Sequence, residues 1–148
     1  MNRRRLKILL DTSFLLPSLG FETDKEIVEV LPCLLNHEVY YSDLSFLEAL
    51  WKIVKLVKSE EEINIILKGV ELLKKTFNQE ELDRISVKIA LEMYMKGHKD
   101  LIDNLLYGIS VSKQHRFLTI DKELFEFVKN NELPNTLINP EELKKYCS

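Results

Sequence analysis

The sequence predicts an α/β protein in which helices flank a parallel β-sheet. Short apolar runs alternate with longer segments that carry apolar residues at helical spacing, an order typical of parallel sheets. Only 4 Gly and 4 Pro occur among 148 residues, too few turn formers for an all-β sandwich. Hydrophobic residues make up 45% and charged residues 30% of the chain, which argues against a disordered or a membrane protein. The length predicts one domain over residues 1–148.

The first third of the chain is predicted to hold two strands and a helix. Residues 6–10 are an apolar run that ends at Asp11 and are predicted as the first strand. Apolar residues at helical spacing predict a helix over residues 24–35, which Pro32 should kink or shorten. The second strand, residues 39–41, is short and aromatic.

The middle of the chain is predicted to be helical. Ser42 or Asp43 caps a helix with an apolar stripe, and Glu48 lies beside that stripe. Residues 59–99 are predicted as helix with an interruption near Phe77, which gives an antiparallel helical pair leaning away from the sheet.

The last third returns to alternating elements. In order, these are a helix that opens at Asp100, a strand at 117–120, a helix at 122–129, a strand at 136–138 and a helical turn after Pro140. Four strands are thus placed, and the third closes directly on Asp121.

The charge balance argues against bulk electrostatic binding of nucleic acid. The chain has 21 Lys and Arg against 24 Asp and Glu, a net charge of −3. Any contact with nucleic acid must therefore come from a local site. Lysines 52, 55 and 58 are interpreted as a solvated helix face, and Trp51 as a core or dimer residue.

Cysteine content and hydropathy indicate the compartment. Cys33 and Cys147 are far apart in the sequence and too few for a disulfide framework or a zinc site, so both are predicted to be reduced thiols. No segment approaches the 18 uncharged apolar residues of a membrane span. We therefore predict a cytoplasmic location.

Carboxylates follow two of the predicted strands. Asp11 and Asp121 each end an apolar run, and ligands of parallel sheets bind beyond the carboxyl ends of the strands. Each aspartate alone could equally be a helix N-cap. Glu48, however, lies among apolar neighbours, where an unpaired charge is costly. Asp100 and Asp103 share one face of a first helical turn.

Converging carboxylates point to a divalent cation. Without arginine partners they would repel, and their pKa values would rise unless a cation held them together. Oxygen ligands without Cys or His select Mg²⁺ or Mn²⁺ over Zn²⁺. Such an ion is suited to phosphodiester cleavage. Thr12, Ser13 and Thr119 are hydroxyls that could orient the carboxylates or an attacking water.

Three motifs occur in order: Asp11-Thr12-Ser13 after an apolar strand, Ser42 followed six residues later by Glu48, and Asp103 followed by Thr119 and Asp121. With these motifs the chain resembles PIN-domain ribonucleases of the VapC toxin type. The resemblance implies a three-layer α/β/α PIN-like fold around a sheet of four or five parallel strands in the order 3-2-1-4-5.

The resemblance also implies an activity, a cofactor and partners. Asp11, Glu48, Asp103 and Asp121 would be the catalytic and metal-binding residues, with Thr12, Ser13 and Thr119 supporting them. The cofactor would be Mg²⁺ or Mn²⁺ and the substrate RNA. Homodimers are frequent in the family, and its toxin branch pairs with a small antitoxin whose tail enters the acidic site.

Several alternatives stay open. Asp100 either joins the acidic cage or, as we favour, caps its helix. Tyr107 and Gly108 stand where the family often has Ala. The protein could be a catalytically inactive PIN-like binding or scaffold protein, or an RNA-processing nuclease outside the toxin branch. An aspartyl phosphatase of the haloacid dehalogenase type is disfavoured because Ser13 replaces its second Asp.

Overall fold

The computed structural model describes residues 4–147 and contains a parallel five-stranded sheet. Its strands are β1 Lys7–Leu10, β2 Glu38–Tyr41, β3 Asn78–Gln79, β4 Arg116–Leu118 and β5 Leu137–Ile138. They lie in the order β3-β2-β1-β4-β5. In the central register, Ile8 pairs with Val39 on one side of β1, and Leu9 pairs with Phe117 on the other. The predicted parallel α/β architecture and its strand order are confirmed.

Helices connect the strands. They are α1 Lys25–Leu34, α2 Asp43–Ile53, α3 Glu60–Thr76, α4 Arg84–Met95, α5 Leu101–Lys113, α6 Lys122–Asn130 and α7 Pro140–Lys144. Short 3-10 turns occupy Thr12–Phe14, Pro17–Leu19 and Val54–Leu56. Among residues 4–147, none of these helices has the length and hydropathy needed to cross a membrane.

The two faces of the sheet build two separate cores. Ile8 and Leu10 of β1 point to one face, where they pack with buried residues of α1, α2, α3 and α7. Leu9, between them in the sequence, points to the other face and packs with α4, α5 and α6. This alternation gives the three layers of an α/β/α fold.

The prediction of an antiparallel helical pair over residues 59–99 was wrong. The interruption near Phe77 is strand β3, Asn78–Gln79, which is added to the four strands expected from the sequence. Leu73 of α3 lies in the core on one face of the sheet, whereas Met93 of α4 lies in the core on the other. The chain therefore crosses the edge of the sheet between the two helices.

Two other sequence expectations are corrected. Cys33 and Cys147 are joined by a disulfide with Cα atoms 5.5 Å apart, so they are not free thiols. The fold brings them together by packing α7 against α1. Trp51 is 67% exposed, so it is not a core residue.

Helices α4 and α5 pack so closely at Gly108 that an alanine would not fit there. A Cβ atom there would lie 2.6 Å from the backbone oxygen of Ser86, because α4 and α5 pack closely at this point. The neighbouring Tyr107 is fully buried, and its hydroxyl donates to the backbone oxygen of Pro134. Both departures from the family pattern thus serve the contacts of α5.

Gly69→Ala is expected to destabilise the protein by roughly 1–3 kcal/mol, the usual cost of overpacking. A Cβ at Gly69 would lie 1.9 Å from the backbone oxygen of Ser18, so α3 would have to move away from the Pro17–Leu19 turn. Urea denaturation measures the change, and Lys68→Ala, at an exposed neighbour, is the matched control. Equal unfolding midpoints for the two variants would contradict this close approach.

Candidate functional site

Asp11 directly follows β1 and is held from three directions. Its backbone N–H donates to the carbonyl of Leu118 on β4, at 3.0 Å. One carboxylate oxygen accepts from the Thr12 backbone N–H at 2.7 Å, and the other accepts from the Thr119 hydroxyl at 2.6 Å. The residue is only 7% exposed. Its carboxylate is therefore fixed at the carboxyl end of the central strand.

Helices α2 and α5 bring two further acids to Asp11. The Ser42 hydroxyl accepts from the Leu44 N–H at 3.1 Å and begins α2, which carries Glu48 on its second turn. Helix α2 contacts both the Thr12–Phe14 turn and α5. Asp103, 6% exposed, lies in the first turn of α5.

These three acids form a compact cluster. One carboxylate oxygen from each of Asp11, Glu48 and Asp103 lies within 4.8 Å of the other two. Asp11 and Asp103 are buried, whereas Glu48 is half-buried. Three of the four acids selected from the sequence are thus brought together, and the cluster is reachable from solvent on the Glu48 side.

Asp121 lies at the edge of this cluster. Its carboxylate caps α6 by accepting from the N–H groups of Glu123 and Leu124, at 3.0 and 3.3 Å. Its own N–H donates to the Thr119 hydroxyl at 3.1 Å. Since that hydroxyl also donates to Asp11, Thr119 links the two strand ends that carry acids.

The remaining selected residues divide by role. Asp100 is exposed and caps α5, because its carboxylate accepts from the Asp103 N–H at 3.0 Å. Thr12 is fully buried next to Asp11, and its hydroxyl has no hydrogen-bond partner among residues 4–147. Ser13 is half-buried in the same 3-10 turn.

The raised pKa values show that negative charge is in excess in this cluster. Burial raises the pKa of Asp11 to about 6, against the opposing hydrogen bonds from Thr119 and Thr12. Burial also holds the pKa of Asp103 well above its usual range, and the neighbouring Asp11 raises it further. An all-oxygen donor set with excess negative charge fits a hard divalent cation.

Sequence reasoning missed Lys52 as part of this site. The ammonium group is exposed, yet its positive charge lowers the pKa of Asp11, so it lies within electrostatic reach of the cluster. Its position one helical turn after Glu48 is the signal that could have indicated it. The interpretation of this lysine as only a solvated face was incomplete.

Comparison with known proteins supports the fold. No protein-family model and no curated protein matches the sequence. The structure is similar to a chain of FitAcB from Neisseria gonorrhoeae, at 20% identity and a TM-score of 0.65, covering 90% of this chain and 98% of that chain. It is also similar to VapBC2 from Rickettsia felis bound to a promoter DNA fragment, at 12% identity, with the same coverages and a TM-score of 0.63.

A third similar structure is VapC20 from Mycobacterium tuberculosis, a Sarcin-Ricin loop cleaving toxin. Here identity is 15%, the match covers 80% of this chain and 93% of that chain, and the TM-score is 0.59. The resemblance inferred from the three motifs is confirmed at the level of the fold. The chain has the fold of VapC-type PIN-domain proteins.

Proposed function

We propose that this protein is an endoribonuclease that cleaves RNA phosphodiester bonds and requires Mg²⁺ or Mn²⁺. The observation that carries the proposal is the cluster of Asp11, Glu48 and Asp103, with oxygens within 4.8 Å of one another. The raised pKa of Asp103 supports it, because burial and neighbouring carboxyl groups raise this pKa and no cationic side chain among residues 4–147 opposes them. The fold supports it as well, since VapC20 is a Sarcin-Ricin loop cleaving toxin.

Asp11, Glu48 and Asp103 would hold the cation, and Asp121 would border it. When bound, the ion would lower the pKa of water and offset charge on the scissile phosphate. Thr119 keeps the Asp11 carboxylate in place through its hydroxyl and receives the Asp121 N–H. Lys52 offers positive charge at the rim, where a phosphate chain would approach.

Metal dependence is the first test. We expect the purified protein to cut single-stranded RNA in Mg²⁺ or Mn²⁺ and to lose this activity in excess EDTA. Asp11→Asn, purified in the same way, is the control for contaminating nuclease, because a contaminant would cut RNA in that preparation as well. Cleavage that persists in EDTA would contradict the proposal. Metal binding without any cleavage would favour the inactive scaffold instead.

An apolar groove on the surface indicates that this chain binds another protein. A protein partner favours the toxin branch over other RNA-processing nucleases. The groove has a volume of about 670 Å³ and lies between α2, the Val54–Leu56 turn and α3. Trp51, Leu47 and Leu67 line it and are each at least half exposed. Such a surface is unfavourable in water unless a partner covers it. We assign it to a small antitoxin, because the similar structures include toxin–antitoxin complexes.

Trp51→Asp is expected to abolish co-purification of this chain with its antitoxin. The candidate antitoxin is the product of a small neighbouring reading frame, co-expressed with the tagged chain. Leu72→Asp is the matched control, because Leu72 is 62% exposed on α3 but does not line the groove. If both variants retain the partner, the groove is not its binding surface.

The homodimer and the cytoplasmic location stay predictions. Helix α4 offers an exposed apolar surface that a second copy could cover, including Ile85, Leu91 and Met95. Light scattering on the purified chain measures the mass directly.

A further inference from the structure

The disulfide ties the last described helix to the first. Cys33 lies near the end of α1 and is 8% exposed, whereas Cys147 follows α7 and is half-buried. The two cysteines are 114 residues apart in the sequence, and their Cα separation of 5.5 Å is ordinary for a disulfide. The cross-link therefore encloses most of the chain.

We propose that Cys33 and Cys147 form a reversible thiol–disulfide site that locks the C-terminal segment onto α1. This inference is independent of the proposed nuclease activity. Apart from the disulfide, α7 is anchored by the buried Pro140 and Leu143, by a capping box between Asn139 and Glu142, and by an exposed ion pair from Lys144 to Glu29, at 3.2 Å. A helix of five residues does not persist without tertiary support, and an exposed ion pair adds little to it.

Because of Pro32, the end of α1 that carries Cys33 also depends on the disulfide. Proline has no backbone N–H, so α1 lacks one hydrogen bond in its last turn. Cys33 is the next residue, where the disulfide joins this turn to the segment after α7. Closing the disulfide thus supports two helix ends that are weak on their own.

We expect reduction to begin at Cys147, because this residue is more exposed than Cys33. The thiolate of a low-molecular-weight thiol attacks the Sγ of Cys147 and forms a mixed disulfide, and Cys33 leaves as a thiolate that takes up a proton. A second thiol then releases Cys147 and forms a small-molecule disulfide. The protein gains two electrons and two protons, and the reverse exchange closes the lock.

The neutral ring of His37 gives this exchange no electrostatic assistance, and its hydrogen bonding argues against a metal ion at the same place. A ring nitrogen of His37 lies within 4.8 Å of both sulfurs. Its Nδ1 accepts the backbone N–H of Leu6 at 3.0 Å, so the neutral ring carries its proton on Nε2 and has no free lone pair for a cation. Burial lowers the pKa of His37, which keeps the ring neutral and leaves it without a charge to stabilise a thiolate.

The test compares oxidised and reduced forms of the full-length chain. After incubation with glutathione disulfide, we expect intact mass after alkylation to show no free thiol in the monomer. After incubation with excess dithiothreitol, we expect two alkylated thiols. The closed form should melt about 10 °C higher, because a cross-link over a long loop lowers the entropy of the unfolded chain.

Two further measurements complete the test. In Cys147→Ser, a conservative change at the more exposed sulfur, the melting temperature should no longer respond to reductant. Amide exchange of residues 140–147 should be faster in the reduced wild type than in the oxidised one. Free thiols that persist in glutathione disulfide, a disulfide between two chains, or equal melting temperatures of the two forms would each overturn the proposal. RNA cleavage is measured separately, so its absence would not affect this result.

Discussion

Asp11→Asn is expected to reduce RNA cleavage by at least about 100-fold, because loss of a metal-binding carboxylate removes several kcal/mol of transition-state stabilisation. Asparagine preserves the size of the side chain: its carbonyl oxygen can accept from the Thr12 N–H, and its NH₂ group can donate to the Thr119 hydroxyl after that hydroxyl rotates. The fold should therefore survive, and the loss should reside in the missing charge. Initial rates on a labelled single-stranded RNA in Mn²⁺ measure the effect.

The controls for this variant separate charge from structure. Asp24→Asn removes the same charge at an exposed position and should leave the rate within a factor of about two. Circular dichroism of both variants should match the wild type. Cleavage by Asp11→Asn at the wild-type rate would show that the acidic cluster is not the catalytic site.

Asp103→Asn is expected to stabilise the metal-free protein by roughly 1–4 kcal/mol at neutral pH, because the folded wild type must keep a proton on this buried carboxyl that the unfolded chain releases. Burial and the charge of Asp11 raise the pKa of Asp103 to about 10. The unfolded chain therefore releases this proton at lower pH than the folded chain. The stability of the metal-free wild type should fall as pH rises from about 4 towards the folded pKa.

Urea unfolding at pH 5 and pH 8, in EDTA, measures this difference. The wild type should lose stability between the two values, and Asp103→Asn should lose less. Asp24→Asn is the matched control, since Asp24 is exposed, its side chain makes no capping hydrogen bond, and it is not among the charges that raise the pKa of Asp103. A lower stability of Asp103→Asn than of the wild type at pH 8 would mean that the buried carboxylate is already compensated.

The strand-end acids were predictable from sequence because they depend on local pattern. An apolar run that stops at Asp11 identifies both a buried strand and its functional end. Glu48 was predictable for a similar reason, as a charge among apolar neighbours on a helix. The convergence of these residues then follows from one general property of parallel sheets.

Other features depend on tertiary structure and left no local signal. Strand β3 has only two residues, Asn78 and Gln79, both polar and exposed, so no apolar run marks it. Helical periodicity shows which face of α3 or α4 is buried, but not on which side of the sheet each helix lies. The pairing of Cys33 with Cys147 likewise depends on contact between the first and last helices.

We propose above that Asp11, Glu48 and Asp103 bind a divalent cation. Calorimetric titration of the metal-free chain with Mn²⁺ at pH 7 measures this binding. Two buffers of different ionisation enthalpy give the number of protons released. We expect Mn²⁺ to bind the wild type with release of about one proton, chiefly from Asp103, and not to bind Asp11→Asn. No binding to the wild type, or equal binding to Asp11→Asn, would contradict it.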